Sequence, residues 1–220
     1  GYKKLIMSIA LPPPYDRLNR HSMLPEASHD ESARMNFLAN MNAHIGTALF
    51  PGVSTAYENC AKPAFEKEHG RAPATSIEVR EAIKPEPAFQ FWSAFRLNTQ
   101  ETRQQVGREF VFRRIDGLIA KAKEMNEGSK RLRLDSSVEI PRYISEVDNH
   151  VMPGGYYTEV LPDDISAPAN YESGHYTTVA GGTGPKSDLV GRTMAKWLKD
   201  TRPDFAPKRI IDMGGGAGFN

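Results

Sequence analysis

Apolar residues at helical spacing mark the first part of the chain. Five of them recur at intervals of three or four residues and predict an amphipathic helix over residues 31–50, which Pro51 and Gly52 are expected to end: Phe37, Leu38, Met41, Ile45 and Leu49. A second helix is expected over 53–68, interrupted at Pro63. Thr75 and Glu78 then have the spacing of a capping box, which predicts a short helix that ends before Pro85.

The longest predicted helix covers residues 99–125, because Asn98 and Glu101 repeat the capping spacing. Its expected buried stripe is Val111, Ile115, Leu118, Ala122 and Met125. Its basic residues, Arg103 among them, alternate with acidic ones and are expected on a solvated face. Upstream lies the densest aromatic cluster of the chain: Phe89, Phe91, Trp92, Phe95 and Leu97. The spacing of Phe91, Trp92 and Phe95 predicts a helix face packed into a core.

The pattern changes after Gly128. Prolines and glycines interrupt residues 129–186, which predicts a loop-rich segment with short strands possible at 132–134 and 176–179. Helical spacing returns from Ser187, a candidate N-cap, to Lys199, and a strand is predicted over 209–213. The domain assignment is an extended, proline-containing arm (1–29), a helical domain (30–128), the loop-rich segment (129–186) and a final helix with a strand and glycine turn (187–220).

Composition narrows the function classes. Lys plus Arg number 28 against 27 for Asp plus Glu, and this balance gives no case for nucleic acid as a partner. The lone cysteine, Cys60, excludes an intrachain disulfide and a multi-cysteine zinc site, and it is expected to be a buried helix residue. No apolar run approaches the roughly 20 residues that span a bilayer. We therefore expect a cytoplasmic protein without a membrane partner, trimmed at its N-terminus because the chain begins with Gly1.

The stretch RIIDMGGGAGFN, residues 209–220, combines a strand pattern, an acidic residue and a glycine-rich turn. In open parallel sheets such turns bind ligands at the carboxyl ends of strands. The dinucleotide fingerprint requires glycine or alanine where Phe219 stands, which disfavours a dinucleotide-dependent oxidoreductase. The glycine-rich stretch before Lys186 is not a phosphate-binding loop either, because Pro185 replaces the required glycine.

The DMGGGAG segment resembles motif I of the class I S-adenosylmethionine-dependent methyltransferases. It is most similar to the version found in small-molecule O-methyltransferases with a large helical N-terminal domain. The resemblance implies that the cofactor S-adenosyl-L-methionine lies against Asp212, Gly214, Gly215, Gly216 and Gly218. It also implies that the helical domain supplies a wall of the substrate pocket and a homodimer interface.

The expected fold class is therefore a mainly α N-terminal domain followed by the first strand of a truncated Rossmann-like α/β domain. The later strands of such a domain would complete the cofactor site, so the chain alone is expected to bind S-adenosylmethionine weakly or not at all. The resemblance lies in residues 209–218 and leaves the methyl acceptor undefined.

Methyl transfer needs an acceptor held in line with the donor and, where the acceptor loses a proton, a base. Two polar-aromatic segments could supply these groups, EVDNHVMPGGYYTEV (146–160) and NYESGHYTTV (170–179). His150 or His175 is the candidate general base, and Tyr176 is the candidate partner of the cofactor carboxylate. The histidine spacing does not match a metal site. The alternatives are loop histidines bonded only to backbone groups, and a non-enzymatic helical interaction or dimerisation module whose contact surface is the aromatic cluster.

Overall fold

The computed structural model describes residues 14–18, 21, 23–179, 181–216 and 218. Within these ranges the chain is mainly helical and contains no strand, which confirms the mainly α expectation. The helices are α1 (His29–His44), α2 (Phe50–Ala56), α3 (Lys62–His69), α4 (Ser76–Ile83), α5 (Pro87–Phe112), α6 (Ile115–Asn126), α7 (Arg142–Ser145), α8 (Ser166–Thr178) and α9 (Leu189–Thr201).

Helices α1, α2 and α3 join through two π turns, Ile45–Leu49 and Tyr57–Ala61, so the prediction that Pro51 and Gly52 end the first helix is wrong. A proline ring clashes with the carbonyl four residues earlier, and these carbonyls belong to Thr47 and Asn59, which lie inside the π turns. In the first turn the N–H of Phe50 donates to the carbonyl five residues back, which widens the helix just before the proline. The helical run ends after α3 at Gly70, whose φ of 68° suits glycine.

The capping predictions have opposite outcomes. The Thr75 side chain accepts a hydrogen bond from the Glu78 N–H at the start of α4, as predicted. Asn98 is not a cap, because α5 already begins at Pro87, and its side chain donates to the Ala94 carbonyl. The predicted helix over 99–125 is in fact parts of α5 and α6, separated at Arg113 and Arg114. Pro87 suits the first position of α5, because the N–H that proline lacks would have no partner within the helix at that position.

The main core lies between α1, α5 and α8. Its buried residues are Tyr15, Met35, Ala39, Phe110, Val111, Ile115, Leu118 and Tyr176. Tyr15 comes from the predicted arm, and its ring packs edge-on against those of Phe110 and Tyr176, at 6.3 and 5.3 Å between centroids. The arm prediction is therefore wrong for Tyr15, and residues 1–13 lie outside the described ranges.

Helix α8 corrects two predictions, since it occupies part of the expected loop-rich segment and includes most of the expected strand at 176–179. The residues on its buried side are mostly small or polar, so the sequence shows no apolar stripe there. They are Asn170, Ser173, Gly174, Tyr176 and Thr177. Glycines allow α5 and α8 to approach closely. A Cβ at Gly107 of α5 would lie 2.1 Å from Asn170 Oδ1, and one at Gly174 of α8 would lie 2.1 Å from an Arg103 nitrogen. The expected strand at 132–134 has no partner among the described residues.

Only part of the aromatic cluster is in a core. Phe89 and Trp92 pack against a second buried group formed by Val53, Ala61 and Ile83. Phe91 is 58% exposed, and Leu97 is exposed as well. Of the stripe predicted for residues 111–125, Met125 is exposed. Cys60 is also exposed, on the outer face of the second π turn, so its predicted burial is wrong.

The final helix is almost uncovered. Asp188, rather than Ser187, precedes the first residue of α9, and no residue of α9 is buried. In the predicted strand, Ile210 and Ile211 are 82% and 80% exposed, and the described residues offer no sheet partner. This strand and its Rossmann-like context stay predictions. Within the described ranges, no helix has the length and apolarity needed to cross a membrane.

Candidate functional site

An open cavity of about 900 Å³ lies between α5, α8 and the loop of residues 147–156. It brings together the two polar-aromatic segments and both candidate histidines, which are 25 positions apart in sequence. Its lining includes Asn42, Trp92, Arg96, Gln100, Arg103, Asp148, His150, Tyr156, Tyr171 and His175. The sequence therefore identified segments that the tertiary structure places around one site.

Side chains of α5 hold the 147–156 loop in place. The carbonyl of His150 accepts hydrogen bonds from Gln100 Nε2 at 3.2 Å and Gln104 Nε2 at 2.9 Å. Arg108 Nη1 donates to the Pro153 carbonyl at 2.8 Å, further along the loop. Gln104 is itself oriented by Asn170 of α8, whose Nδ2 donates to its Oε1 at 2.8 Å. The loop is thus fixed to the α5 and α8 pair rather than merely covering it.

His150 lies in a left-handed backbone conformation, with φ 57° and ψ 29°. Such a conformation costs a non-glycine residue about 1–3 kcal/mol and persists only where neighbouring groups hold it. Its Nδ1 lies 2.6 Å from the Tyr156 hydroxyl. Burial raises the pKa of Tyr156, so this hydroxyl stays protonated and donates to Nδ1. With Nδ1 as the acceptor of this bond, the His150 imidazole carries its N–H on Nε2.

His175 lies on α8 at the other side of the cavity. Burial lowers its pKa, and the positive charge of Arg103 lowers it further, so the imidazole is neutral at physiological pH. Its Nε2 lies 3.1 Å from Thr183 Oγ1, in the loop before α9. The rings of Tyr171 and His175 are 6.5 Å apart, and Tyr171 also packs against Tyr156. A neutral imidazole beside a cavity is able to accept a proton.

Arg103 is the residue that sequence reasoning missed. It is 4% exposed, whereas the charge pattern predicted a solvated side chain. Its Nε points at the Gly174 carbonyl at 3.5 Å, and no described carboxylate lies within ion-pairing distance. Burial lowers its pKa. The buried stripe of α5 includes residues four positions apart, Thr99, Arg103, Gly107 and Val111. This spacing in the sequence could have indicated that Arg103 is buried.

The glycine turn lies next to α8. A Cβ at Gly216 would be 3.9 Å from Tyr171 Cε1, so the tyrosine that lines the cavity also lies near the turn. Gly214, Gly216 and Gly218 have φ values of 75°, 54° and 75°. A Cβ at Gly215 would lie 2.9 Å from Asp212 Oδ2, so this position leaves little room for a side chain.

The hydroxyl of Tyr176, the candidate partner of the cofactor carboxylate, has a partner within the structure. Its ring lines a second cavity of about 190 Å³ beside Gly218, but its hydroxyl donates to Asn36 Oδ1 at 3.0 Å. A tyrosine has one hydroxyl proton, so the same group cannot also donate to a cofactor carboxylate. Burial raises the pKa of Tyr176 to about 12, which keeps that proton in place.

Comparisons with known proteins found no relative: no family model, curated protein or solved structure matches the chain. Within the described residues, no group of three or more His, Cys, Asp or Glu side chains is arranged to hold a metal ion.

Proposed function

We propose that this chain is the N-terminal, substrate-binding part of an S-adenosylmethionine-dependent methyltransferase that acts on a small molecule. The observation that carries the proposal is the position of Tyr171, which lies near the motif-like glycine turn and also lines the large cavity. A methyl donor on the turn and an acceptor in the cavity would then be neighbours. We retain a cytoplasmic location and a possible homodimer as parts of the same proposal.

The residues of the turn suit the cofactor. Bound S-adenosylmethionine would supply an activated methyl group on a sulfonium, and the protein would supply position. Asp212, Gly214, Gly215, Gly216 and Gly218 would lie against its amino-acid part. The space beside Gly214 and Gly218, where a Cβ would meet no atom of the described residues within 4 Å, supports this assignment.

Two groups could remove a proton from the acceptor. His175 is neutral because its pKa is lowered, so it could accept a proton directly. His150 would act through the Tyr156 hydroxyl, which bonds to its Nδ1. The aromatic rings of Trp92, Tyr156 and Tyr171 would hold the acceptor and exclude water from one side.

The test is methyl transfer by the protein translated from the complete reading frame that contains these residues. It is incubated with S-adenosylmethionine and a panel of phenols and acids, and products are detected by mass spectrometry. We expect Gly216→Val to abolish transfer, because the side chain strains a backbone at φ 54° and points toward Tyr171. Asp212→Asn, which leaves the backbone unchanged, should weaken cofactor binding.

The matched control is Gly70→Val, which introduces the same kind of strain at φ 68° in the cap of α3. It should lower thermal stability while leaving methyl transfer per folded molecule unchanged. Full transfer activity in Gly216→Val, or no methylated product from any acceptor with the wild-type protein, would contradict the proposed function.

A second candidate function, a non-enzymatic interaction or dimerisation module, is favoured by the uncovered apolar surfaces. Helix α9 exposes Leu189, Val190, Met194 and Trp197, and Phe91 stacks on Phe95 outside the core, with centroids 5.5 Å apart. Light scattering after size-exclusion chromatography separates the candidates. A stable dimer that binds no S-adenosylmethionine and methylates nothing would favour the module.

A further inference from the structure

We propose that Arg103 binds the carboxylate of a small aromatic acid that occupies the 900 Å³ cavity. The inference deepens the proposed function by naming a substrate class for the same site. The observation behind it is a buried guanidinium that has neither a carboxylate partner nor a good hydrogen bond among the described residues.

The structure gives Arg103 almost no compensation for burial. Its printed hydrogen bond, from Nε to the Gly174 carbonyl, is 3.5 Å long and therefore weak. That carbonyl already accepts from Thr177 Oγ1 at 2.8 Å and Thr178 Oγ1 at 3.0 Å, so it does not need the arginine. A buried charge is ordinarily paired, since transfer from water to protein costs several kcal/mol.

The cavity offers no internal anion to fill this role. Asp148 is the one carboxylate among its described lining residues, and its Oδ1 accepts from the Gly154 N–H at 2.9 Å. Arg96 adds a second positive charge at the lining, with its guanidinium 5.5 Å above the Trp92 ring. The lining is therefore net positive and favours an anionic ligand.

The shape and chemistry of the lining select the class of anion. An arginine offers parallel N–H groups that match the two oxygens of a carboxylate. Tyr156 and Tyr171 pack edge to face at 5.9 Å beside Arg103, and Trp92 lies on the same lining. Aromatic walls favour a flat apolar body behind the charged group. Together these features point to an aromatic carboxylic acid.

Gly174 leaves room for the guanidinium. A Cβ there would lie 2.1 to 2.3 Å from three atoms of the Arg103 guanidinium, so any larger residue would displace the charged group. The absence of a side chain at this point lets the guanidinium lie flat on α8 at the edge of the cavity. Arg103 is thus positioned before any ligand arrives, which lowers the entropic cost of binding.

The experiment is isothermal titration of the chain with three acids, benzoate, phenylacetate and cinnamate, each compared with its neutral amide. We expect at least one acid to bind at least about tenfold more tightly than its amide, as a charge-assisted bidentate contact gives. Arg103→Met should remove this preference and leave amide binding unchanged. Arg80→Met, an exposed arginine of α4, makes the same change in net charge and should have no effect.

Several results would overturn the inference. These are the absence of binding by all three acids, equal affinity for acid and amide, or an unchanged preference in Arg103→Met. S-adenosylhomocysteine serves as a further ligand, because the carboxylate of the cofactor is the other carboxylate that Arg103 could bind. If Arg103→Met weakens its binding and leaves that of the acids intact, the arginine recognises the cofactor and the inference is wrong.

Two further features keep the test decisive. If Arg103→Met does not fold, Arg103→Lys keeps the charge but loses the planar fork, and it should reduce the acid preference at least about threefold. An unchanged preference there would also overturn the inference. Acid binding requires no S-adenosylmethionine, so the inference can hold while the methyl-transfer assay fails. Conversely, methyl transfer by the wild-type protein together with an unchanged acid preference in Arg103→Met would support the function and reject the inference.

Discussion

At the scale of single residues, Arg103 shows a conflict between stability and site chemistry. A charge that is 4% exposed and has no carboxylate partner among the described residues destabilises the folded chain. We predict that Arg103→Met raises the free energy of unfolding by about 1–3 kcal/mol, since a residue of similar length replaces the charge and the Gly174 carbonyl keeps its two threonine donors. Thermal unfolding followed by circular dichroism measures this. A lower melting temperature would show that the guanidinium has a structural role.

Glu31 is a buried charge of the opposite kind, because it is fully paired. Its carboxylate accepts from Arg114 Nη1 and Nη2 at 2.9 and 2.8 Å and from the Ser28 N–H at 2.8 Å. The Arg114 guanidinium lowers the pKa of Glu31 from 4.5 to about 2. The folded pKa is below the unfolded one, so this stabilisation is present above pH 4.5 and is lost as the pH falls toward 2.

We predict that Glu31→Gln lowers the free energy of unfolding at pH 7 by about 1–3 kcal/mol. It should also reduce the loss of stability between pH 4.5 and pH 2, because the titrating carboxyl is gone. Urea unfolding at pH 7 and at pH 3.5 measures both effects. Glu68→Gln, at an exposed position of α3, is the control and should behave as wild type. Equal pH dependence in Glu31→Gln and wild type would contradict the assignment.

At the scale of elements, the contact between α5 and α8 depends on glycines. We predict that Gly107→Ala lowers the free energy of unfolding by about 1–3 kcal/mol, since its Cβ would lie 2.1 Å from the buried Asn170 Oδ1. Gly117→Ala in α6 is the matched control, because a Cβ there meets nothing within 4 Å. Its higher helix propensity should stabilise the chain by about 0.5–1 kcal/mol. Chemical denaturation compares the two, and equal signs would contradict the close approach.

The helix boundaries show which local sequence signals predict the observed helix ends. Thr75 caps α4 as predicted because capping involves only a side chain and an N–H three residues later. Pro51 does not end a helix, because the π turn before it removes the steric conflict that the rule assumes. Asn98 has the chemistry of a cap but lies in the interior of α5, where its amide bonds to the previous turn.

At the scale of the whole molecule, the two tryptophans lie in opposite environments. Trp92 packs with Phe89 against the second core group, whereas Trp197 is 53% exposed on α9. We predict that Trp92→Ala lowers the free energy of unfolding by about 2–4 kcal/mol and that Trp197→Ala changes it by less than about 0.5 kcal/mol. Denaturant unfolding at low protein concentration measures this. A large cost for Trp197→Ala would mean that α9 is covered, and light scattering would then identify a second copy as its cover.

The candidate site could be predicted in part. The sequence identified His150 and His175 because each lies in a polar-aromatic segment, and both line the cavity. It could not assign the proton-sharing contact of His150 with Tyr156, since that depends on the fold of the loop. It also could not show that Asn36 accepts the hydroxyl proton of Tyr176, because that contact depends on the packing of α8 against α1.

The sequence by itself determined what depends on neighbours along the chain. These features are the helical character of the chain, the Thr75 cap, and the glycine turn that resembles a methyltransferase motif. Tertiary structure alone decided that α8 is a helix, that Tyr15 joins the core and that Arg103 is buried beside the cavity. Arg103 meets Gly174 across 71 residues, and spacing along one helix carries no information about which residue of a distant helix will face it.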